Sequence, residues 1–379
     1  MKILIFYGSY GGGHLSAAKA LKNYFDNNYK DVETTMIDCI EYINKYVNKI
    51  STKAYKEMAK KAPWIWKIVY NDSQTGALAY ISTSSNKIMS HRLNTLIQEE
   101  QPDLIISTHP FSTQMCGNLK KLGKINCKIA TILTDYAVHN QWLVFSEYMD
   151  YFFVAHQEMK LDMINLGIPE NKIFDFGIPI SNKFLTRKNK KQIFKEFELN
   201  PNKHTILYFA GGEFGLGRNT TFMILKAIIR LFKDFQVVAI AGKNKKMEKR
   251  FEELVEQTHS SHRIKVLAFT DKVPELMYIS DMVITKPGGL TITESLASHL
   301  PIIIINPIPG QEEENANFLI NNNIAISIRK EDNIARKLKT LYRNLDKIEA
   351  MKENSISFSK PQSTKNICTF LHKEIKKLQ

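Results

Sequence analysis

The feature that most constrains this chain is a repeated alternation. Short apolar runs, ended by glycine, proline or a polar break, give way to stretches with helical spacing, and the pattern recurs from residue 2 to residue 305. Runs of this kind occupy Lys2–Tyr7 (KILIFY), 103–109 (DLIISTH), 128–134 and 151–154. Helical patterns fall at 16–25, 40–69, 86–99 and 156–166. After a basic, polar stretch at 181–204, apolar runs return at 205–210, 236–241, 264–268, 282–285 and 301–305. Helical patterns lie between them at 220–232, 245–257, 272–279 and 290–298. Runs that are apolar on both faces belong to strands covered on both sides, which means parallel sheets layered between helices. The reading is α/β with two doubly wound domains, residues 1–185 and 200–345. Helical segments near 346–356 and 364–377 close the chain, and 346–379 either braces the second domain or returns to the first.

A length of 379 residues with 44% hydrophobic content suits two domains with a core each. The longest apolar run, around Ile302–Ile305, is far below the roughly 18 residues that span a bilayer. The first strand starts at Lys2 with no secretory leader before it, so an intracellular protein is expected. Four scattered cysteines lack pairing or metal-ligand spacing, which argues against a disulfide scaffold or a structural zinc. The net charge of +14 is uneven. Residues 1–180 carry 19 basic and 17 acidic side chains, and residues 181–379 carry 33 and 21. Such an excess concerns partners such as phosphorylated ligands or anionic lipid, not the fold.

Three glycine loops follow strands. The first, GSYGGGH (Gly8–His14), joins the first strand to the first helix, where ligands of open α/β sheets bind. It has neither the dinucleotide spacing nor a Walker lysine. Its glycines are expected to permit close backbone approach or positive φ, and His14 is a titratable group at the mouth of the sheet. AGGEFGLG (Ala210–Gly217) opens the second domain the same way. KPGGLTITES (Lys286–Ser295) places a Pro-Gly-Gly turn before a helix with Thr291 in its first turn and Glu294 one turn deeper. N–H groups at that terminus suit a diphosphate, and a carboxylate at Glu294 suits two ribose hydroxyls. Gln311 and Asn315, four apart at another helix start, share a face. Together these loops read as a nucleoside-diphosphate pocket.

The chain also resembles the bacterial and plant diacylglycerol glycosyltransferases, the family of monogalactosyldiacylglycerol synthase and processive diacylglycerol glucosyltransferase. The resemblance is carried by SYGGGHLSAA, THP at Thr108–Pro110, TDYAVHNQW at Thr134–Trp142 and YFFVAHQEMKLDMINLGIPENKIFDFGIPI at Tyr151–Ile180. It continues through AGGEFGLG, AGKNKKM, FTDKVPELM, ITKPGGLTITES and PIPGQEEENANF. It implies a GT-B fold, two Rossmann-like domains facing across a cleft. It implies an inverting enzyme that moves glucose or galactose from UDP-hexose to the 3-hydroxyl of diacylglycerol, some members adding further sugars. By the same resemblance Gly211, Gly212 and Gly215 approach the phosphates, and the backbone near Phe269 and Thr270 meets uracil. Pro287, Gly288, Gly289 and Thr291 surround the diphosphate, and Glu294 holds the ribose. Gln311 and Glu312 face the sugar hydroxyls with Asn315 behind. No Asp-x-Asp pair occurs, so no metal and no cofactor is expected; helix N-termini and Lys243 would stabilise departing UDP.

Two further expectations concern the first domain. An alcohol acceptor needs a base, and His14, His109, Asp135 and His139 are the candidates at strand ends there; His14 is preferred because it follows three glycines at the first strand's exit. The segment 41–67 carries seven lysines against two glutamates, with Lys45, Lys49, Lys53, Lys56 and Lys60 on one helical stripe and Trp64 and Trp66 at its end. Lysine and tryptophan so arranged suit an interfacial helix on an anionic membrane, placing the protein peripherally on the cytoplasmic face of the cell membrane. No nucleic-acid motif accompanies the charge. The competing functions are a UDP-sugar epimerase and a non-catalytic nucleotide-sugar sensor.

Overall fold

A computed structural model describes residues 1–9, 12–43, 92–186, 188–210, 218–329 and 331–379. Two compact units account for them: the first holds the described residues up to Asn182 together with Lys360–Gln379, and the second holds Lys183–Ser359.

The first unit is built on strands β1 (Lys2–Tyr7), β2 (Glu33–Asp38), β3 (Leu104–Ser107), β4 (Lys128–Ile132), β5 (Tyr151–Phe153) and β6 (Ile173–Phe174), in the order β2-β1-β3-β4-β5-β6. Every pairing is parallel, with Ile3 opposite both Thr34 and Leu104. The order reverses between β1 and β3, the topological switch point of this sheet. Both faces of β1 are buried, as KILIFY predicts, and Ile3, Ile5, Leu104, Ile106 and Ile132 pack with Ala18, Leu21 and Phe25 of the helix Gly13–Asn28. The last helix, Ser363–Lys376, covers the same face through Ile367, Leu371 and Ile375. It is tied down where Ser363 Oγ donates to the Ile178 carbonyl and Thr364 Oγ1 to that of Ile180, each at 2.7 Å.

The second unit carries β7 (Thr205–Phe209), β8 (Gln236–Gly242), β9 (Ile264–Ala268), β10 (Met282–Thr285), β11 (Ile302–Ile305) and β12 (Ala325–Ile328), in the order β12-β11-β10-β7-β8-β9, again all parallel. This is the order of a dinucleotide-binding sheet, with its switch point between β7 and β10. The helix Lys245–Gln257 has the bounds that its apolar spacing predicts.

Several elements differ from the sequence reading. Strands β2, β6 and β12 went unread, and all three are sheet edges, where one flank lacks a neighbouring strand and the apolar demand is weaker. The helix Pro110–Lys121 also went unread because its buried stretch includes Ser112, Thr113, Gln114 and Asn118. The polar stretch 181–204 contains a short helix, Lys190–Glu196. The chain crosses between units at Asn182/Lys183, and the helix Leu345–Phe358 belongs to the second unit, so only Lys360–Gln379 returns to the first. Residues 44–69 of one expected helix and 86–91 of another lie outside the described residues, whereas residues 92–100 are helical.

Candidate functional site

In the first unit the candidate residues gather at the switch point. His14 sits in the first turn of the helix that follows β1, and His109 follows β3. Their rings meet edge to face with centroids 4.5 Å apart. The approach is possible because residue 8 is glycine: a Cβ there would lie 2.8 Å from the His109 ring. Thr108 clamps His14 twice. Its carbonyl oxygen lies 2.6 Å from His14 Nδ1, and its hydroxyl donates to the His14 carbonyl at 3.0 Å. Thr134, after β4, places its Oγ1 3.0 Å from the same Nδ1. A carbonyl oxygen only accepts, so the proton of neutral His14 is on Nδ1 and its Nε2 carries the lone pair. No described residue bonds that Nε2. Burial lowers the His14 pKa, opposed by the charge of Asp135 and by the Thr108 carbonyl.

His109 is arranged differently. Its Nδ1 accepts the Phe111 N–H at 3.2 Å as the N-cap of the helix Pro110–Lys121, so its proton is on Nε2. Burial, and then the charge of His14, holds its pKa well below the ordinary histidine range. His139 caps the short turn Asn140–Trp142 through Nδ1 and is pushed down to about 4 by burial. His156 caps Gln157–Asn165 in the same manner and donates from Nε2 to the Tyr136 carbonyl. Of the four candidate bases, the structure brings His14, His109 and Asp135 together and gives His139 a cap to hold. The threonines beside His14, inside the THP and TDY stretches, went unweighed in the sequence although the motifs themselves stood out.

In the second unit the candidates lie at the carboxyl ends of β8, β9, β10 and β11. The turn Pro287-Gly288 leads from β10 into the helix Gly289–Ala297, whose first turn has no side-chain cap and no acidic residue. Gly288 has φ −73°, and Gly12 of the first loop −88°, so neither needs the left-handed region; what glycine contributes is an open surface, since a Cβ at either would meet nothing within 4 Å. At the strand ends of this unit, Gly242 before Lys243 and Gly310 before the helix Gln311–Asn321 do take positive φ, 65° and 101°. Asn315 is buried and donates from Nδ2 to the Pro287 carbonyl at 3.1 Å, so it braces the turn.

Glu294 is half-buried on the helix Gly289–Ala297, and no described residue pairs with it. Desolvation alone pushes its pKa up to about 8. Thr291 stands in the first turn of the same helix. Glu312 accepts the Ile308 N–H at 2.9 Å and pairs with Lys286 at 3.5 Å, both through Oε2. Lys286 is nearly buried, and burial lowers its pKa against the pull of Glu312. It missed notice in the sequence because it read as the start of a turn. Phe269, after β9, is 68% exposed, with Lys243 Nζ 5.5 Å from its ring centre. Thr270 Oγ1 accepts from the Lys272 N–H. Gly211, Gly212 and Gly215 lie outside the described residues. Among the described residues no cluster of three metal-ligating side chains exists, and no helix is long and apolar enough to cross a membrane.

Two all-parallel units, each with polar groups at its switch point, define the GT-B class of glycosyltransferases and related sugar-nucleotide enzymes. Solved structures of the same architecture include Acinetobacter baumannii MurG, at 13% identity and TM-score 0.65 over 98% of this chain and 99% of that one. A UDP-GlcNAc 2-epimerase from Neisseria meningitidis, bound to UDP-GlcNAc, matches at 15% identity and TM-score 0.63 over 98% and 100%. At these identities the likeness is one of fold. Family models resolve the matter. Residues 14–180 match monogalactosyldiacylglycerol (MGDG) synthase, and residues 219–367 match the glycosyltransferase family 28 C-terminal domain. A processive diacylglycerol beta-glucosyltransferase of Bacillus mycoides is 30% identical over 97% of this chain and 92% of its own. That of Bacillus cytotoxicus is 29% identical over 98% and 94%. The chain therefore belongs to the diacylglycerol glycosyltransferase family and is an enzyme of the UDP-sugar-dependent glycosyltransferase type.

Proposed function

We propose that the protein transfers glucose from UDP-glucose to the 3-hydroxyl of 1,2-diacylglycerol with inversion at the anomeric carbon. The observation that carries this reading is the similarity to diacylglycerol beta-glucosyltransferases along nearly the whole of both chains. The second unit holds the donor. Glu294 accepts the ribose hydroxyls, and the open turn at Pro287–Gly289, Thr291 and the glycines at 211, 212 and 215 take the diphosphate. Uracil meets the chain at Phe269 and Thr270. Gln311 and Glu312 take sugar hydroxyls; both contacts of Glu312 fall on Oε2, which leaves Oε1 for that task. Lys286 and Lys243 supply positive charge for departing UDP in place of a metal.

The first unit supplies the base. His14 presents an Nε2 that no described residue bonds and takes the acceptor's proton there, while Asp135 favours the imidazolium that forms. The acceptor is a lipid, and the lysine-rich segment 41–67 docks the protein on an anionic membrane at its cytoplasmic face; residues 44–67 of that segment lie outside the described residues. Purified protein, diacylglycerol vesicles containing phosphatidylglycerol and either UDP-glucose or UDP-galactose test the reading directly. Mass spectrometry should find glucosyl-diacylglycerol, with second additions if the enzyme extends its product. Galactosyl-diacylglycerol alone would reassign the donor, and no glycolipid from either would defeat the proposal. Vesicle sedimentation that persists in high salt would defeat the electrostatic docking.

A further inference from the structure

We infer that Thr134 is a positioning residue for the transfer, holding the His14 ring from behind so that Nε2 alone can receive the acceptor's proton. The inference rests on the reading of His14 as the base and adds the group that makes it one. Thr134 is 4% exposed and follows β4, while His14 follows β1 and Thr108 follows β3. Three neighbouring strands of one parallel sheet thus converge on one imidazole.

The chemistry of the contacts sets the direction of the proton. The Thr108 carbonyl 2.6 Å from Nδ1 can only accept, so Nδ1 is the donor and shares its hydrogen with Thr134 Oγ1 at 3.0 Å. The Thr108 hydroxyl meanwhile holds the His14 carbonyl, so the residue is fixed at its main chain as well as at its ring. In the transfer, the acceptor oxygen forms a bond to the anomeric carbon as the bond from that carbon to the β-phosphate oxygen breaks. The electron pair leaves with UDP, and the acceptor's proton passes to Nε2. The ring then carries a full charge with both nitrogens protonated. Two oxygen acceptors at Nδ1 stabilise that imidazolium more than one does, which offsets the burial that opposes it. Thr134 therefore contributes basicity and orientation without touching substrate.

Thr134→Val keeps the shape and removes the acceptor. It should lower kcat about tenfold, the size expected for one hydrogen bond to a group that becomes charged. KM for UDP-glucose should stay within twofold. Losing an acceptor disfavours the imidazolium, so the acid limb of the pH profile of kcat/KM should move to lower pH. Thr134→Ser should restore both rate and limb, which a packing role would not require. Should the valine variant fail to fold, the pKa of His14 followed by NMR in the parent and in Thr134→Ala reads the same coupling, and an unchanged pKa overturns the inference. A kcat and acid limb like the parent's in Thr134→Val overturn it as well. His14→Ala separates the two levels. If that variant turns over like the parent, the assignment of the base falls. If it is inactive while Thr134→Val is unaffected, only the role of Thr134 falls.

Discussion

The two units solve the same folding problem and equip it differently. Each is an all-parallel six-stranded sheet with its polar residues at the carboxyl ends of strands, but the orders are β2-β1-β3-β4-β5-β6 and β12-β11-β10-β7-β8-β9. In the first, the switch point carries two imidazoles, His14 and His109, whose Nδ1 atoms are committed to threonine oxygens and a helix N–H group. In the second, it carries an open glycine turn, a carboxyl at Glu294 that pairs with no described residue and a nearly buried Lys286–Glu312 pair. Sheet topology decides where chemistry is placed. Side-chain satisfaction decides which chemistry it is: a prearranged hydrogen-bond set suits moving one proton, and unsatisfied polar groups suit a ligand that completes them.

The sharpest way to break this division is His14→Ala. General-base catalysis contributes about 10²- to 10⁴-fold, so turnover should fall by that factor while calorimetry finds UDP affinity unchanged. A variant that loses UDP affinity and turnover together would mean that the first unit binds donor instead of supplying the base.

The second comparison is acid stability. Three histidines of the first unit cap helices with a neutral Nδ1, and burial lowers each: His109 well down, His156 down and His139 to about 4. An unfolded histidine takes a proton near 6.5, whereas these resist it when folded. Their contribution is complete above about pH 6.5 and is lost as pH falls toward 4. For His139 alone the linkage amounts to roughly 3 kcal/mol. Urea unfolding followed by probes in each unit should show the first weakening between pH 7 and pH 5, and His139→Asn, a substitution that keeps a capping acceptor, should flatten the dependence. Equal weakening of the second unit would dissolve the contrast.

A somewhat smaller effect is expected at Glu294. Charged hydrogen bonds of the kind assigned to it are worth roughly 1.5–3 kcal/mol each, so Glu294→Gln should bind UDP-glucose at least tenfold more weakly in a folded protein. Since the free carboxyl sits at about 8, it is protonated at neutral pH and ionises as pH rises. Affinity of the parent for UDP-glucose should therefore increase from pH 6.5 to pH 8.5, and the glutamine variant should lack the increase. The intact donor's diphosphate does not titrate in that range, so an equal slope in both proteins would point away from Glu294.

The smallest change is expected on adding EDTA. With Lys286, Lys243 and helix N–H groups countering the diphosphate, transfer should keep most of its rate. Inactivation by chelator, reversed by magnesium or manganese, would place a metal at the second unit and redraw its chemistry.

Much of this was open to inspection in the amino-acid order. Interior strands such as KILIFY and MVIT are buried on both faces and had to be apolar throughout, so they announced themselves, and the glycine loops after them marked the ends where ligands bind. Of the four edge strands, Ile264–Ala268 was legible and the other three were not. Glu33–Asp38 (ETTMID) and Ala325–Ile328 are paired on one side only, and their sequences carry correspondingly weaker signals. The helix Pro110–Lys121 shows the opposite case, a polar sequence buried because the turns at Asn140–Trp142 and Ser146–Tyr148 cover its outer side and pair with it, as where Gln114 Nε2 donates to Gln141.

The sequence by itself determined the alternation of elements, the two-unit organisation and the family, because these depend on local periodicity and on motifs contiguous in the chain. Tertiary structure alone decided that His14, Thr108 and Thr134, up to 120 residues apart, meet at one ring, that Asn315 braces Pro287, and that Lys286 is nearly buried beside Glu312 while Glu294 pairs with no described residue. Proton position and charge state depend on distance and solvation, and those are properties of neighbours brought together by strand order, which no local stretch of sequence encodes.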